Sequence, residues 1–556
     1  MDIFRIFMSL IMSFVMLISN GITALLPADA PEAKSEAELT EMADIFDKHE
    51  LNDVIYVVSG LSKDEYTAVQ SLQGLVSRDK ASIFINYGHS SSAELAEFAK
   101  KGCILLYTDE NGAKWNLESL VTRFAEYINN NSYVLYTSVD VTEQINMAFN
   151  YTTVYGCLAV PEAVEDTVKS LGMTKAYDLT EKEITVSDQR AFYEEHKDEF
   201  RKDSLVHLYA EGSGLRDFAV QQKIFITFAK DEDYVARAFR EELLTDLEPA
   251  SPVLGWCQYE VKFTEAVSAF GHYVIPSDHS FNMSILNTLD YGTTDLGSEA
   301  QAPELDPDKH YIAIVYSDGD NAQWISNGYR EFYTWQSCGL DTPVTWTFAP
   351  LMDEFSPVAV KNASENRGSC SFITGPSGAG YARISKMSAD ELAAFSDMTA
   401  ATMLRTGMTT VTLLDEPLSL PGFVFENKLS YFARYDNING GILQIDPERY
   451  EGGKGKVFFV DDKPFVSVRL SLWHPSGNAS EVTTEWLDEQ AAVVNSFSAD
   501  INSISGYSVI NVHPWTVGPD DLAYFVSQLD SDIEVISADE LISAVTKNVP
   551  HETAKP

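Results

Sequence analysis

YIAIVYSDGDN, Tyr311 to Asn321, is the stretch on which the reading of this chain turns. An apolar run from Tyr311 to Tyr316 drives into two acids, Asp318 and Asp320, separated by one glycine. Residues i and i+2 of an extended chain share a side, so both carboxylates are expected in one cavity. Gly319 is expected to let the backbone turn sharply between them. A buried strand that ends in clustered acids is the usual way an α/β enzyme presents its chemistry. The competing reading is that the acids cap a following helix, Asn321 to Trp335.

Moving outward, apolar strand segments recur after the first at PVTWTFA (343), SFITG (371), VTLLD (411), GILQI (441), FVSVRLSL (465), YSVINV (507) and IEVIS (533). Helical patterns fall between most of them, notably Ala389 to Leu404, Glu481 to Phe497 and Asp520 to Leu529. Strands alternating with helices in this way predict a (β/α)8 TIM-barrel-like domain over 307–548, with a doubly wound open sheet as the alternative.

The ends of these strands carry the chemistry. They read SDGDN, AP, GPSGAGY, DEP, Asp446 with its proline, WHP and NVHPW, so polar, aromatic, glycine and proline residues gather at one mouth. Glycoside hydrolysis needs one acid to protonate the leaving oxygen and one carboxylate as nucleophile or base, usually from different strands. Asp318 or Asp320 with Asp415 or Glu416 supplies such a pair. Neighbouring strand residues face opposite ways, so only one of Asp415 and Glu416 should enter the mouth. The bland alternative is that these two cap a turn before Pro417.

A second chemistry uses the same mouth. Asp318 or Asp320 with His474 and His513 would form an Asp/His/His metal site, as in metal-dependent polysaccharide deacetylases. Against it, the histidines lack a close HxxxH spacing and each lies beside a proline. Tyr381, Trp473 and Trp515 offer faces for stacking on a sugar ring, and Asn321 stands beside the acids. Gly378 and Gly380, with Gly375, would let the backbone approach a ligand closely. No Lys-Ser/Thr follows them, which excludes a phosphate loop. The principal reading needs no metal and no cofactor, and its partner is carbohydrate. A barrel that binds carbohydrate without cleaving it is the third reading.

The segment GAGYARI, Gly378 to Ile384, resembles a variant of the motif that names the GxGYxYP putative glycoside hydrolases. Gly378, Gly380 and Tyr381 match, whereas Arg383 and Ile384 replace the motif's Tyr and Pro. SDGDN, GPSGAGY and the late HPW are similar in order and placement, and LQGLVSR resembles that family's first domain. The resemblance implies a C-terminal barrel-like domain behind smaller N-terminal domains, and a carbohydrate substrate.

The N-terminal half reads as further α/β units. Boundaries are expected at 25–52 for a mobile lead-in, 53–130, 131–204 and 205–306 for three small domains. VIYVVSG, ASIFINY, SYVLYT, YGCLAV, PVLGWCQY and HYVIPSD supply their strands. The chain's 556 residues and 45% hydrophobic content allow several real cores. A formal net charge of −44 repels nucleic acid and anionic membrane surfaces. Ile6 to Ser19 is an apolar run after Arg5, read as an export signal spanning 1–24, with a membrane anchor as the alternative. The expected protein is therefore secreted. Five scattered cysteines lack CxxC spacing, which excludes a zinc ribbon, and Cys338 and Cys370 are the candidates for a disulfide.

Overall fold

The computed structural model describes residues 30–88, 91–210, 214–292, 294–297, 303–328, 342–416, 422–446 and 449–556. The apolar run near the start, Cys338, Pro417 and most of the expected helix after Asn321 lie outside them. Among the described residues no helix is long and apolar enough to cross a membrane.

Three small parallel sheets precede the barrel. Strands β1 (Glu50–Val58), β2 (Lys80–Ile85) and β3 (Ile104–Leu106) pair in the order β2-β1-β3. Strands β4 (Ser132–Tyr136), β5 (Leu158–Pro161) and β6 (Thr174–Asp178) follow as β5-β4-β6. Strands β7 (Leu205–His207), β8 (Ile226–Thr227), β9 (Pro252–Gly255) and β10 (Tyr273–Pro276) form the third sheet, β10-β9-β7-β8. The LQGLVSR segment ends the helix Lys63–Ser77, which a Ser62/Glu65 capping box starts. Its Gly74 lies against the helix Arg216–Gln222, where an added Cβ would meet the Asp217 carbonyl at 2.6 Å. A glycine is needed there because two helices touch backbone to side chain.

The barrel is built from β11 (His310–Tyr316), β12 (Thr345–Phe348), β13 (Ser371–Thr374), β14 (Thr410–Asp415), β15 (Gly440–Ile445), β17 (Lys463–Leu472) and β18 (Tyr507–Val512). Seven parallel strands close the ring, since β11 pairs with both β12 and β18. The expected count of eight is thus corrected. The last strand, β19 (Ile533–Ile536), exists but does not stand between β18 and β11. All of Tyr311–Tyr316 is already paired to Tyr507–Val512, which leaves β19 no room on that edge. Strand β12 is short and meets β11 only at Val315 and Tyr316, so β19 takes the open lower part of that edge, His310–Ala313. Sequence reading also passed over β16 (Val457–Val460), which returns antiparallel to β17 through Asp461 and Asp462. Both turn residues have positive φ, as a tight two-residue hairpin requires.

The third sheet is packed onto the barrel. Tyr273, Val274 and Ile275 of β10 share one apolar core with Tyr381, Ala382 and Phe395. Each such fully buried large side chain stabilises the contact by roughly 1.5–3 kcal/mol. This joint places one end of the third sheet beside the barrel mouth.

Candidate active site

The mouth begins where β11 ends. Ser317 continues the ladder, its N–H donating to the Val512 carbonyl at 3.0 Å. The chain then turns at Asp318, whose φ is +68°. Aspartate tolerates this left-handed region better than most residues because its short side chain bonds locally. Gly319 serves a different purpose from the one expected. A Cβ there would stand 1.8 Å from the Thr347 carbonyl oxygen, because β12 passes directly against it. The Gly319 N–H donates to Thr347 Oγ1 at 3.0 Å, and its carbonyl accepts from Ala349 at 2.7 Å. The two acids therefore converge through a pinned turn, and not through simple strand alternation.

The Asp318 carboxylate accepts hydrogen bonds from the Ser317 hydroxyl and the Trp515 side chain. Neither donor is a helix amide; it is the Asp318 carbonyl, at 3.2 Å, that receives the Asn321 N–H. Helix capping by this carboxylate is accordingly not what the fold uses. Trp515 crosses the Trp324 ring edge-on at 4.0 Å and remains 38% exposed, so it lines an open rim. Asn321 Oδ1 is buried without a hydrogen-bond partner among the described residues.

Burial drives the electrostatics of the pair. It raises Asp318 above the usual carboxylate range, against the pull of its two donors. Asp320 is pushed much further up, by burial first and then by the charges of Asp318 and Glu260. The charge of Asp318 beside it disfavours ionisation of Asp320. Asp318, with its two donors, is the better site for the charge, and Asp320 for the proton.

The GAGYARI loop closes the next part of the mouth, and here the structure differs from expectation. Gly378 has φ +60° and lies on Thr399, where a Cβ would meet Oγ1 at 2.5 Å. A Cβ on Gly380 would meet the Tyr273 and Ile275 side chains at 2.5 and 2.6 Å. Both glycines are needed where the backbone packs closely against neighbouring protein. The loop is clamped to β10 by two 2.9 Å hydrogen bonds exchanged between Tyr381 and Val274. Arg383 adds a third tie, its N–H donating to the Ser268 hydroxyl at 2.9 Å.

The clamp aims side chains at the acids. The Tyr381 hydroxyl donates to Glu260 Oε1 at 2.9 Å, and the Tyr381 ring lies nearly parallel to Trp256. The buried Arg383 guanidinium donates from Nη2 to Asp446 Oδ2 at 3.0 Å and approaches the Tyr381 hydroxyl at 3.4 Å. Farther along, Ser385 presents both its N–H and its hydroxyl to Asp415, each at 2.6 Å. The Glu416 N–H adds a third donor at 2.6 Å. Lys428 finishes the loop from below, donating to the Ile384 and Met387 carbonyls.

At the end of the fourth strand the Asp415 carboxylate is thus committed to the loop. Asp415 is 1% exposed and its carboxylate is occupied in holding the loop, while Glu416 is exposed. The residues after β17 and β18 divide in a similar way. Trp473 and His513 stack face to face at 3.8 Å, and burial pulls His513 down to about 4. His474 turns aside, with Nδ1 at 2.7 Å from the Ser476 hydroxyl and its ring against Trp486. Among the described residues no group of three His, Cys, Asp or Glu is placed to hold a metal, so the Asp/His/His set is not assembled.

Sequence reasoning missed Glu260, Arg383 and Tyr450. Tyr450 sits edge-on to Trp473, and its hydroxyl is raised by burial and by the charges of Asp318, Tyr381, Glu260 and Asp446. Glu260 lies in the third sheet's own strand-end segment, PVLGWCQYE, just past β9. The carboxyl ends of parallel strands are where ligands gather, and the third sheet presents such an end as the barrel does.

Two family models match this sequence. The "GxGYxYP putative glycoside hydrolase C-terminal domain" covers residues 308–546, and the "GxGYxYP third domain" covers 204–288. A crystal structure of a "putative hydrolase" from Bacteroides thetaiotaomicron is similar in fold, with a TM-score of 0.79 at 24% identity over 91% of this chain and 98% of that one. No curated protein matches.

Proposed function

This chain belongs to the GxGYxYP family, and from that premise we propose that it is a glycoside hydrolase acting outside the cell by carboxylate acid/base catalysis. One observation carries the reading: Asp318 and Asp320 lie together at the mouth of a closed barrel, with Trp515 bonded to one of them. An indole that gives its N–H to a carboxylate and leaves part of its surface open suits a ligand with apolar ring faces and polar edges. Asp318 is the carboxylate that meets the anomeric carbon, as nucleophile or as base for water. Asp320, held protonated beside it, keeps the floor from carrying two adjacent charges. The apolar run Ile6 to Ser19 after Arg5 supports export, and the acidic net charge fits a neutral glycan better than a polyanionic one.

The test is release of reducing ends from a broad panel of oligo- and polysaccharides by the purified protein. Wild type is expected to cleave at least one of them, and D318N to lose on the order of 10³-fold or more in kcat on it. Binding without cleavage across the panel would overturn hydrolysis and leave a carbohydrate-binding protein.

A further inference from the structure

Glycosidic cleavage needs a proton delivered to the leaving oxygen from across the bond, opposite the group that meets the anomeric carbon. Asp318 and Asp320 leave a single strand end and cannot flank a sugar from both sides. Asp415 is held by three donors, and Asp446 is paired with Arg383 at 3.0 Å. Glu260 stands apart from these. It begins the helix Glu260–Ser268 of the third sheet's unit, and although the residue keeps some solvent access, the protein packed around its carboxyl group raises it above the usual range. Among the described residues only its Oε1 is engaged, by the Tyr381 hydroxyl at 2.9 Å.

We propose that Glu260, carried to the barrel mouth by the third domain, is the proton donor to the leaving-group oxygen. The assignment rests on the glycoside hydrolase reading above. As the glycosidic C–O bond breaks, its electron pair stays on the oxygen, which takes the Glu260 proton. Water supplies the oxygen that ends on the anomeric carbon, either directly or by opening an ester formed with Asp318. The proton lost by that water returns to Glu260, through solvent or by direct transfer, so one water is consumed per bond cleaved.

Three observations support the role. Tyr381 fixes one carboxyl oxygen, Oε1, and among the described residues no hydrogen bond occupies the other. Burial and the charges of Asp318 and Asp446 favour the protonated acid, against the donation from Tyr381 and the charge of Arg383. The motif loop is also tied to the third domain at Tyr381, through Val274, and at Arg383, through Ser268, which fixes the donor relative to the barrel floor. The third domain is then half of the active site and more than a buttress.

The experiment compares wild type, E260Q and E260A on two glycosides of whichever sugar wild type accepts, one with a 2,4-dinitrophenyl leaving group and one with a methyl or sugar leaving group. A leaving group that needs no proton should hide the loss. In kcat/KM, which reports cleavage of the glycosidic bond, E260Q is expected to fall by about 10²–10⁴-fold on the second substrate and by less than about 10-fold on the first. Added formate should restore E260A on the second substrate. The amide oxygen of E260Q still offers Tyr381 an acceptor, so an unchanged melting temperature is expected as the folding control. Equal losses on both substrates, or no loss on either, would overturn the assignment of Glu260 while the hydrolase reading stands. Failure of wild type to cleave any glycoside would overturn both.

Discussion

Two strand ends of this barrel carry nearly the same letters and stand in different hydrogen-bond environments. After β11 stand Asp318 and Asp320, and after β14 stand Asp415 and Glu416. Asp318 keeps two side-chain donors beside an open rim, while Asp320 is crowded by carboxylates. Asp415 receives three close donors, two of them from Ser385 of the family-motif loop. The difference lies in hydrogen-bond occupancy. An acid at a strand end whose oxygens are filled by three close donors, as in Asp415, is suited to hold a loop, and one with fewer donors beside an open rim, as in Asp318, is suited to the chemistry proposed above.

The strongest way to break this comparison is to exchange the roles by mutation. D415N should retain glycoside cleavage within about 10-fold for the folded protein, in contrast to the loss of roughly 10³-fold expected for D318N. The same variant places an amide donor against Ser385 and should cost about 1–3 kcal/mol of stability, read as a lower denaturation midpoint. A loss of activity matching that of D318N, in a fully folded D415N, would make Asp415 a catalytic group.

D320N should move in the other direction. The folded state raises the Asp320 carboxyl above its unfolded value, so the fold favours the protonated acid. That preference costs stability progressively as pH rises from the unfolded value toward the folded one. D320N is therefore expected to raise the melting temperature at pH 7, on the order of 2–4 °C for each ~1 kcal/mol relieved. The gain should vanish as pH falls toward the ordinary aspartate range, near about 4. A gain that persists in acid would show that repulsion at Asp320 is not its source. The smallest effect is predicted for S385A, which removes one donor to Asp415 and keeps the backbone one. A loss of about 1 kcal/mol with kcat within about 3-fold of wild type would place Ser385 with the anchor.

Much of the barrel was legible because its signal is local. His310–Tyr316, Thr410–Asp415, Gly440–Ile445 and Tyr507–Val512 are short apolar runs buried along their whole length, and such runs read as parallel strands. The mouth was legible for the same reason, since each strand end follows its strand directly. Closure was not. Whether β19 stands beside β18 or below β12 depends on edge occupancy between segments about 200 residues apart, which no local pattern encodes.

The sequence by itself determined the alternation of strands and helices, the placement of Asp318 and Asp320 at one strand end, and the motif that marks the family. It determined these because burial periodicity and turn chemistry act over a few residues. Only the tertiary structure decided that seven strands close the ring, that Gly319 exists to clear Thr347, and that Asp415 meets three hydrogen-bond donors. It also decided that Glu260, 58 residues before Asp318, meets the Tyr381 hydroxyl of the motif loop. Such facts depend on which atoms meet across the fold. The hydrogen bonds and charge repulsions that separate an anchor from a reactive acid exist only once those meetings have been made.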